Sequence, residues 1–313
     1  MASADRTIVS VEGRELTLSN LDKVLYPDAG FTKGDVLRYY VSIAPVLLTH
    51  LRGRPLTVRR YPNGVDQKSF FEKNNARSAP EWIDSVEVPS LGSKGAGGSV
   101  HHVLVSDLAS LTWIVNLASL ELHTPMWRFE DGRRSYPDMM VFDLDPGPPA
   151  SIIECCQVAQ ILKDRLDVEG LIGYPKTSGS KGLQVYVPLD GGEAWEGVHA
   201  RARDWARSLE RAHPGLIVSN MRKDLRKGKV LIDWSQNNVS KTTISPYSLR
   251  ARSRPTVSTP LTWPEVAEVV DGAEVANGAG GADGVEPKSL SFVAQQVQDR
   301  VAVLGDLFEG CGA

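Results

Sequence analysis

Residues 139–147 read MMVFDLDPG, and this stretch decides how the rest of the chain is read. A dense apolar run broken only by Asp143 suits a central buried strand, and Pro146-Gly147-Pro148-Pro149 stops it. Side chains two apart in a strand point to the same face, so Asp143 and Asp145 stand side by side with Cα atoms about 6–7 Å apart. Carboxylates that close repel one another unless a cation lies between them. Hard divalent ions such as Mg²⁺ and Mn²⁺ favour oxygen donors of this kind. A second apolar run, KVLIDW (229–234), also ends on a carboxylate, Asp233. Three carboxylates at strand ends suit a two-metal site built for in-line displacement. The competing reading is that D-L-D-P-G is only a turn ending a strand. An EF-hand loop is excluded: Asp143, Asp145 and Glu154 fall at loop positions 1, 3 and 12, but position 6 is Pro148 where the loop needs glycine.

Outward from this strand the pattern is mixed. Ser151 followed by Glu154 predicts a capped helix start. LQVYV (183–187) predicts a strand, and Trp195, Val198, Ala202, Trp205 and Leu209 lie at helical spacing. Thr262-Trp263-Pro264-Glu265 opens another helix. VANGAGGADGVEP (275–287) reads as a flexible linker before a last helix at 289–308. Toward the N-terminus, residues 6–19 read as a hairpin turning at Gly13. Thr32 caps an amphipathic helix with Asp35 in its first turn. Residues 55–72 read as strand, turn (Pro62-Asn63-Gly64) and strand. Residues 92–99 read as a loop, 107–118 as a helix, and Leu120–His123 as the opening of a strand. Strands and helices without strict alternation predict an α+β fold.

The chain has 313 residues, 42% of them hydrophobic, and a formal net charge of -3. That length supports one large core or two packed subdomains, and the bulk charge does not mark a nucleic-acid binder. The three cysteines, Cys155, Cys156 and Cys311, suggest neither a disulfide framework nor a zinc site. No signal peptide and no apolar run of membrane-spanning length is found, so a cytoplasmic protein with no membrane partner is expected.

Local features are more informative. Lys176-Thr177-Ser178-Gly179-Ser180-Lys181-Gly182 precedes the strand LQVYV; its small residues let backbone N–H groups approach an anion and Lys181 adds charge. It is not a Walker loop, and an ordinary hairpin turn is the alternative. Arg52, Arg54, Arg59 and Arg60 form one basic cluster. Arg222, Lys223, Arg226, Lys227 and Lys229 precede Asp233, and Lys241, Arg250, Arg252 and Arg254 follow it. Such charge suits triphosphate and DNA backbone, although most charge runs are solvated faces. Phe70-Phe71 offers a base-stacking aromatic, and period-two alternation predicts one ring in the core and the other outside.

Together LSNLDKVLYPDAGFTKGD, RRYPNGVDQKSFFEK, LELHTPMWRF, MVFDLDPG, KTSGSKGLQVY and KVLIDWSQNNVSKTTISPYSLRAR resemble the polymerase domain of bacterial ATP-dependent DNA ligase D, a branch of the archaeo-eukaryotic primase superfamily. The resemblance spans roughly residues 8–308. It implies a primase-type fold over 1–313 in which antiparallel sheets form a cleft with an RRM-like catalytic half. With no ligase or nuclease region in the sequence, a stand-alone mycobacterial-type homologue is expected. The resemblance implies that Asp143, Asp145 and Asp233 hold two divalent ions, Mn²⁺ or Mg²⁺. It places Ser178, Lys181 and Gly182 on the triphosphate, with Arg59, His123, Arg226, Gln236 and Arg250 as further nucleotide contacts. Phe71 corresponds to the aromatic that stacks on the incoming base, with Phe70 beside it. Asn20, Lys23 and Lys33 correspond to a pocket for the 5′-phosphate across a gap. The implied activity is addition of nucleotides, often ribonucleotides, to primer 3′ ends and filling of short gaps. The implied partners are gapped or broken DNA, NTP or dNTP, a separate ATP-dependent ligase and Ku. One residue departs from the pattern: Gln184 stands where the family motif carries histidine. Glutamine can donate to a phosphate but carries no charge.

Two rival readings differ in class. A non-catalytic DNA-end binding module is opposed by the retained carboxylates. A glycosyltransferase using D-x-D is opposed by the lack of alternating βα units and by the basic clusters around Asp233.

Overall fold

Thr32 leaves extended backbone and starts a helix because its hydroxyl accepts from the Asp35 backbone N–H while the Asp35 carboxylate accepts from the Thr32 N–H. The computed structural model describes residues 6–76, 78–90, 98–278 and 290–311. Its six α-helices among these are α1 (Lys33–Leu51), α2 (Leu108–Asn116), α3 (Ile152–Val168), α4 (Trp195–Ala212), α5 (Trp263–Gly278) and α6 (Ala294–Leu304). Among the described residues no helix is long and apolar enough to cross a membrane.

The described residues divide into two units. The first lies within 1–135, 242–258 and 292–306, the second within 136–241, 259–291 and 307–313, so the chain passes from one to the other after residues 135, 241, 258, 291 and 306.

The first unit holds an antiparallel four-stranded sheet in the order Thr243–Ile244, Ser119–Thr124, Thr57–Arg60, Phe70–Glu72. The predicted helix face of α1 is buried through Val36, Leu37, Tyr40, Ile43 and Leu47. The Tyr40 hydroxyl donates to the Leu120 carbonyl at 2.7 Å and ties α1 to the sheet. The predicted N-terminal hairpin is Arg6–Val11 with Arg14–Ser19. A second hairpin pairs Ser85–Ser90 with Gly98–Val103, a pairing the local sequence pattern does not mark. Part of the predicted loop at 92–99 becomes its second strand, and 92–97 lie outside the described residues.

The second unit holds a five-stranded sheet in the order Tyr174–Thr177, Leu183–Pro188, Met139–Pro146, Val230–Asp233, Ile217–Val218, antiparallel except for the last pair. The carboxylate strand is central, as its apolar run demands. Phe142 stacks on Trp205 of α4, and the Cys155 thiol of α3 donates to the Leu144 carbonyl. Both helices therefore cover the face carrying Phe142 and Leu144, and Asp143 and Asp145 point to the other face. Mixed helices with largely antiparallel sheets make the α+β expectation correct. The linker expected over 275–287 begins too early: α5 runs to Gly278, and the remaining positions 279–287 lie outside the described residues. The last helix is shorter than 289–308. It starts at Ala294 after extended Val293 and stops at Gly305, which has positive φ.

Candidate active site

Strand register assembles the carboxylates. Asp143 pairs directly with Asp233, and directly opposed residues share a face. Asp145 lies two residues along on the same face. On the other side Asp143 pairs with Gln184, and Gln184 pairs with Lys176. One row across four strands thus reads Lys176, Gln184, Asp143, Asp233. The Asp143 carboxyl is pushed up to about 7, by burial first and then by the Asp145 and Asp233 charges; the Gln184 hydrogen bond and the Lys176 charge pull the other way. Asp233 is held by its own turn. Its Oδ1 accepts from the Ser235 N–H and hydroxyl at 3.0 and 2.6 Å, and its Oδ2 accepts from Gln236 Nε2 at 3.1 Å. Asn237 fixes this turn to the central strand: its side chain both accepts from the Val141 N–H and donates to the Val141 carbonyl, each at 2.7 Å. That side chain continues the ladder where the strand Val230–Asp233 stops pairing. Nothing in the sequence singles out Asn237, because its role depends on this register.

Asp143, Asp145 and Asp233 fit a divalent ion: three oxygen donors share a face, and burial followed by the charges of its acidic neighbours raises Asp143 to about 7. Among the described residues no three His, Cys, Asp or Glu side chains are already gathered into a metal cage.

The loop 178–182 closes beside this row. Ser178 Oγ accepts from the Gly182 N–H at 3.1 Å and the Ser180 N–H at 3.3 Å, and Gly179 takes φ +67°. Lys181 is exposed at its tip. A Cβ on Gly182 would overlap the Leu144 carbonyl oxygen, so only glycine lets the loop lie this close to the carboxylate strand. Ser151, Thr177, Gly179, Ser180, Lys181 and Gly182 line a cavity of about 400 Å³. Arg226 follows a short 3₁₀ turn, donates to the Met221 carbonyl, and its buried Nε has no hydrogen-bond partner. Gly147 meets the backbone of Arg226 so closely that a Cβ would strike its carbonyl. Gln184 does not reach outward to a phosphate as its motif position suggested: it is buried, with both ends of its amide engaged.

In the first unit Arg59 pairs with Phe71 on one side and with Glu121 on the other, so these three share a face. The Arg59 guanidinium lies 5.3 Å from the Phe71 ring, and His123 meets the same ring edge-on at 5.6 Å. The expectation that one phenylalanine is core fails: Phe70 and Phe71 are 42% and 59% exposed. Their strand is the sheet edge, and each ring is covered by an arginine, Phe70 by Arg60 and Phe71 by Arg59. The basic clusters also resolve differently. Arg54 is buried and donates to the Pro125 carbonyl, so it offers no surface charge. Arg222 and Lys223 share a unit with Asp233, but Arg250, Arg252 and Arg254 fall in the first unit.

Glu121 is the residue that motif reading missed. It is 3% exposed and accepts from the Ala251 N–H at 3.1 Å; its other oxygen lies 3.2 Å from His123 Nε2. Arg250 Nε is at ion-pair distance, 3.7 Å. Burial works to raise the Glu121 pKa, but the His123 hydrogen bond and the Arg250 and His123 charges overcome it and hold the group at about 2. Its signal was there: a lone acid two residues before His123 on the same strand face.

Asn20, Lys23 and Lys33 come together in the same unit. Asn20 takes φ +53°, its carbonyl accepts from the Lys23 N–H, and the Lys23 carbonyl accepts from the Lys33 N–H at 2.8 Å. Lys33 Nζ donates to the Ser19 carbonyl at 2.6 Å, and Lys23 Nζ to Asn63 Oδ1 at 2.9 Å. Burial, then the Lys23 and Arg60 charges, lower Lys33 to about 8.

The sequence pattern described as LigD, primase-polymerase domain, matches residues 32–278. The chain belongs to the LigD primase-polymerase domain family. This is a family of nucleotidyltransferases. The chain is 46% identical over 251 residues to the multifunctional non-homologous end joining protein LigD of Mycolicibacterium smegmatis, covering 80% of this chain and 32% of that protein. It is 42% identical over 306 residues to the LigD protein of Mycobacterium bovis, covering 96% and 37%. It thus spans about a third of the length of these relatives. Among solved structures it matches the polymerase domain from Mycobacterium tuberculosis ligase D in complex with DNA, with TM-score 0.85 and 42% identity over 95% of this chain and 98% of that one. The LigD family assignment and the primase-type fold expected from the motifs are therefore correct.

Proposed function

We propose that this LigD-type domain is a metal-dependent primase-polymerase of DNA repair, adding nucleotides, with ribonucleotides preferred, to primer 3′ ends and filling short gaps. The observation that carries the reading is the row of carboxylates on one sheet face, with Asp143 raised to about 7 by burial and its acidic neighbours. Asp143, Asp145 and Asp233 would hold the divalent ions, which when bound would supply charge neutralisation for in-line displacement at a nucleotide α-phosphate. The protein's own part is placement. Ser235 and Gln236 hold Asp233 at a fixed rotation. The Ser178–Gly182 loop presents backbone N–H groups and Lys181 for a triphosphate, with Arg226 and Gln236 as further contacts. In the first unit Phe71 offers a stacking face for a base, with Phe70, Arg59, His123 and Arg250 around it. Lys23, Lys33 and Asn20 bind a DNA 5′-phosphate, which explains how a chain of net charge -3 grips DNA by a doubly charged end. The solved relative's complex with DNA and the relatives' end-joining names support this reading; a separate ligase and Ku are its proposed partners in the same repair.

The test is primer extension on a short-gapped duplex with Mn²⁺, comparing NTPs with dNTPs and 5′-phosphate with 5′-hydroxyl. Extension by the natural chain, lost in Asp145→Ala and weakened without the phosphate, supports the proposal. Tight binding of gapped DNA with no extension would instead favour a non-catalytic end-binding module.

A further inference from the structure

Gln184 occupies the strand position directly opposite Asp143, and Lys176 the position directly opposite Gln184. Gln184 is 4% exposed and Lys176 fully buried. Lys176 Nζ lies 2.6 Å from Gln184 Oε1, and Gln184 Nε2 lies 3.0 Å from Asp143 Oδ1. An ammonium group can only donate, so the oxygen end of the amide must face Lys176 and the NH₂ end must face Asp143. The lysine therefore fixes which way the amide points, and the amide in turn donates to one oxygen of the carboxylate.

We propose that Gln184 is a positioning residue for the metal-binding carboxylate Asp143, oriented by the buried ammonium of Lys176, and not a contact to the triphosphate. The inference rests on the metal-dependent reading above. Its physical content is rotational. A carboxylate on a strand is free to turn about its terminal bond. A donor pinned from behind holds Oδ1 and leaves Oδ2 to face a cation. Groups that orient metal ligands in this way typically account for about 10–100-fold in metal affinity. The amide also carries the Lys176 charge no closer than one hydrogen bond from Asp143, so the carboxylate is steadied without being neutralised by an ion pair of its own.

The experiment measures Mn²⁺ affinity of the full chain without nucleotide or DNA, by the electron-spin-resonance signal of free Mn²⁺. It is paired with NTP half-saturation in primer extension at saturating Mn²⁺. Gln184→Met keeps the length and removes both donor and acceptor. The expected result is a loss of about tenfold in Mn²⁺ affinity, with NTP half-saturation within about twofold of the natural chain. Lys176→Met is expected to lower Mn²⁺ affinity less. The double variant should be no worse than Gln184→Met alone, because the lysine's orienting role passes through the amide and loss of a positive charge near Asp143 does not weaken cation binding. Gln184→His, which restores a ring N–H donor, should recover most of the affinity. If Gln184→Met does not fold, Gln184→Ala takes its place, since the smaller side chain lets water reach Lys176. Unchanged Mn²⁺ affinity in the Gln184 variant overturns the inference, as does an NTP half-saturation raised tenfold with Mn²⁺ binding intact. Should the natural chain itself bind no Mn²⁺, the metal reading falls and takes this inference with it; binding that persists in Gln184→Met defeats the positioning role alone.

Discussion

Asp143, half-buried, and Glu121, buried, are both acids on sheet strands, one in each unit, and they are driven in opposite directions. Burial works to raise both. Glu121 has His123, Arg250 and the Ala251 N–H around it and is held at about 2. Asp143 faces Asp145 and Asp233, and one amide and a more distant lysine do not offset them, so it rises to about 7. The first carboxylate is finished by its own chain. The second is left short of positive charge, as a cation site must be before the cation arrives. Lys33 shows the same logic with the sign reversed: burial first, then the Lys23 and Arg60 charges, lowers it to about 8 and leaves it short of an anion.

The contrast can be broken most sharply at the acidic face. Asp145→Ala should reduce primer extension by about a thousand-fold, the effect of several kcal/mol of lost charge stabilisation, while DNA binding persists in a gel-shift assay. Loss of DNA binding to the same extent would mean that the acidic face is structural. At Glu121 the effect should fall on stability. Glu121→Ala leaves His123 and Arg250 without their acid and should cost about 2–3 kcal/mol in urea unfolding; a cost near zero would show that Glu121 is not the organiser of that face. Because its folded pKa is depressed, the Glu121 contribution is fully present above about 4.5 and is lost as pH falls toward 2.

The basic pocket gives a smaller, pH-linked effect. Lys33 is charged below about 8 in the free protein. Affinity for gapped DNA should therefore lose the 5′-phosphate advantage, by about tenfold or less, as pH rises above 8. Lys33→Arg should flatten that slope in a titration by fluorescence anisotropy, and a slope that survives the substitution would move the effect elsewhere. The smallest effect concerns Asp143 without metal. Its raised pKa means the folded chain keeps a proton that the unfolded chain releases near 3.8, so metal-free stability declines as pH rises from about 4 to about 7. Asp143→Asn escapes this decline and should be about 1 kcal/mol more stable than the natural chain at pH 8 in chelator, an advantage that Mn²⁺ removes. Urea unfolding at pH 5 and pH 8 measures both.

What was legible in the sequence was local or carried by a strong run. The caps at Thr32 with Asp35 and Ser151 with Glu154 need only residues three apart. The central position of Met139–Pro146 follows from its apolar density. The Phe70-Phe71 reading failed because alternation says which residues share a face and not whether either face is covered; an edge strand flanked by Arg59 and Arg60 leaves both rings outside. Glu121, Asn237 and the Lys176–Gln184 pair were not legible in their roles for a related reason. Each acts on a residue across the sheet, and register is set by long-range pairing that no local window contains.

The order in which the chain is made treats the two sheets unequally. All five strands of the carboxylate sheet lie in one continuous stretch, from Met139 to Asp233, whereas the sheet of the first unit waits for its edge strand Thr243–Ile244 long after Ser119–Thr124 has been made. At ordinary ribosomal speed that wait lasts roughly 6–24 s. During it, the nascent chain carries an unpaired strand edge while the carboxylate sheet is still being made, and that edge is where a second nascent chain could pair in its place.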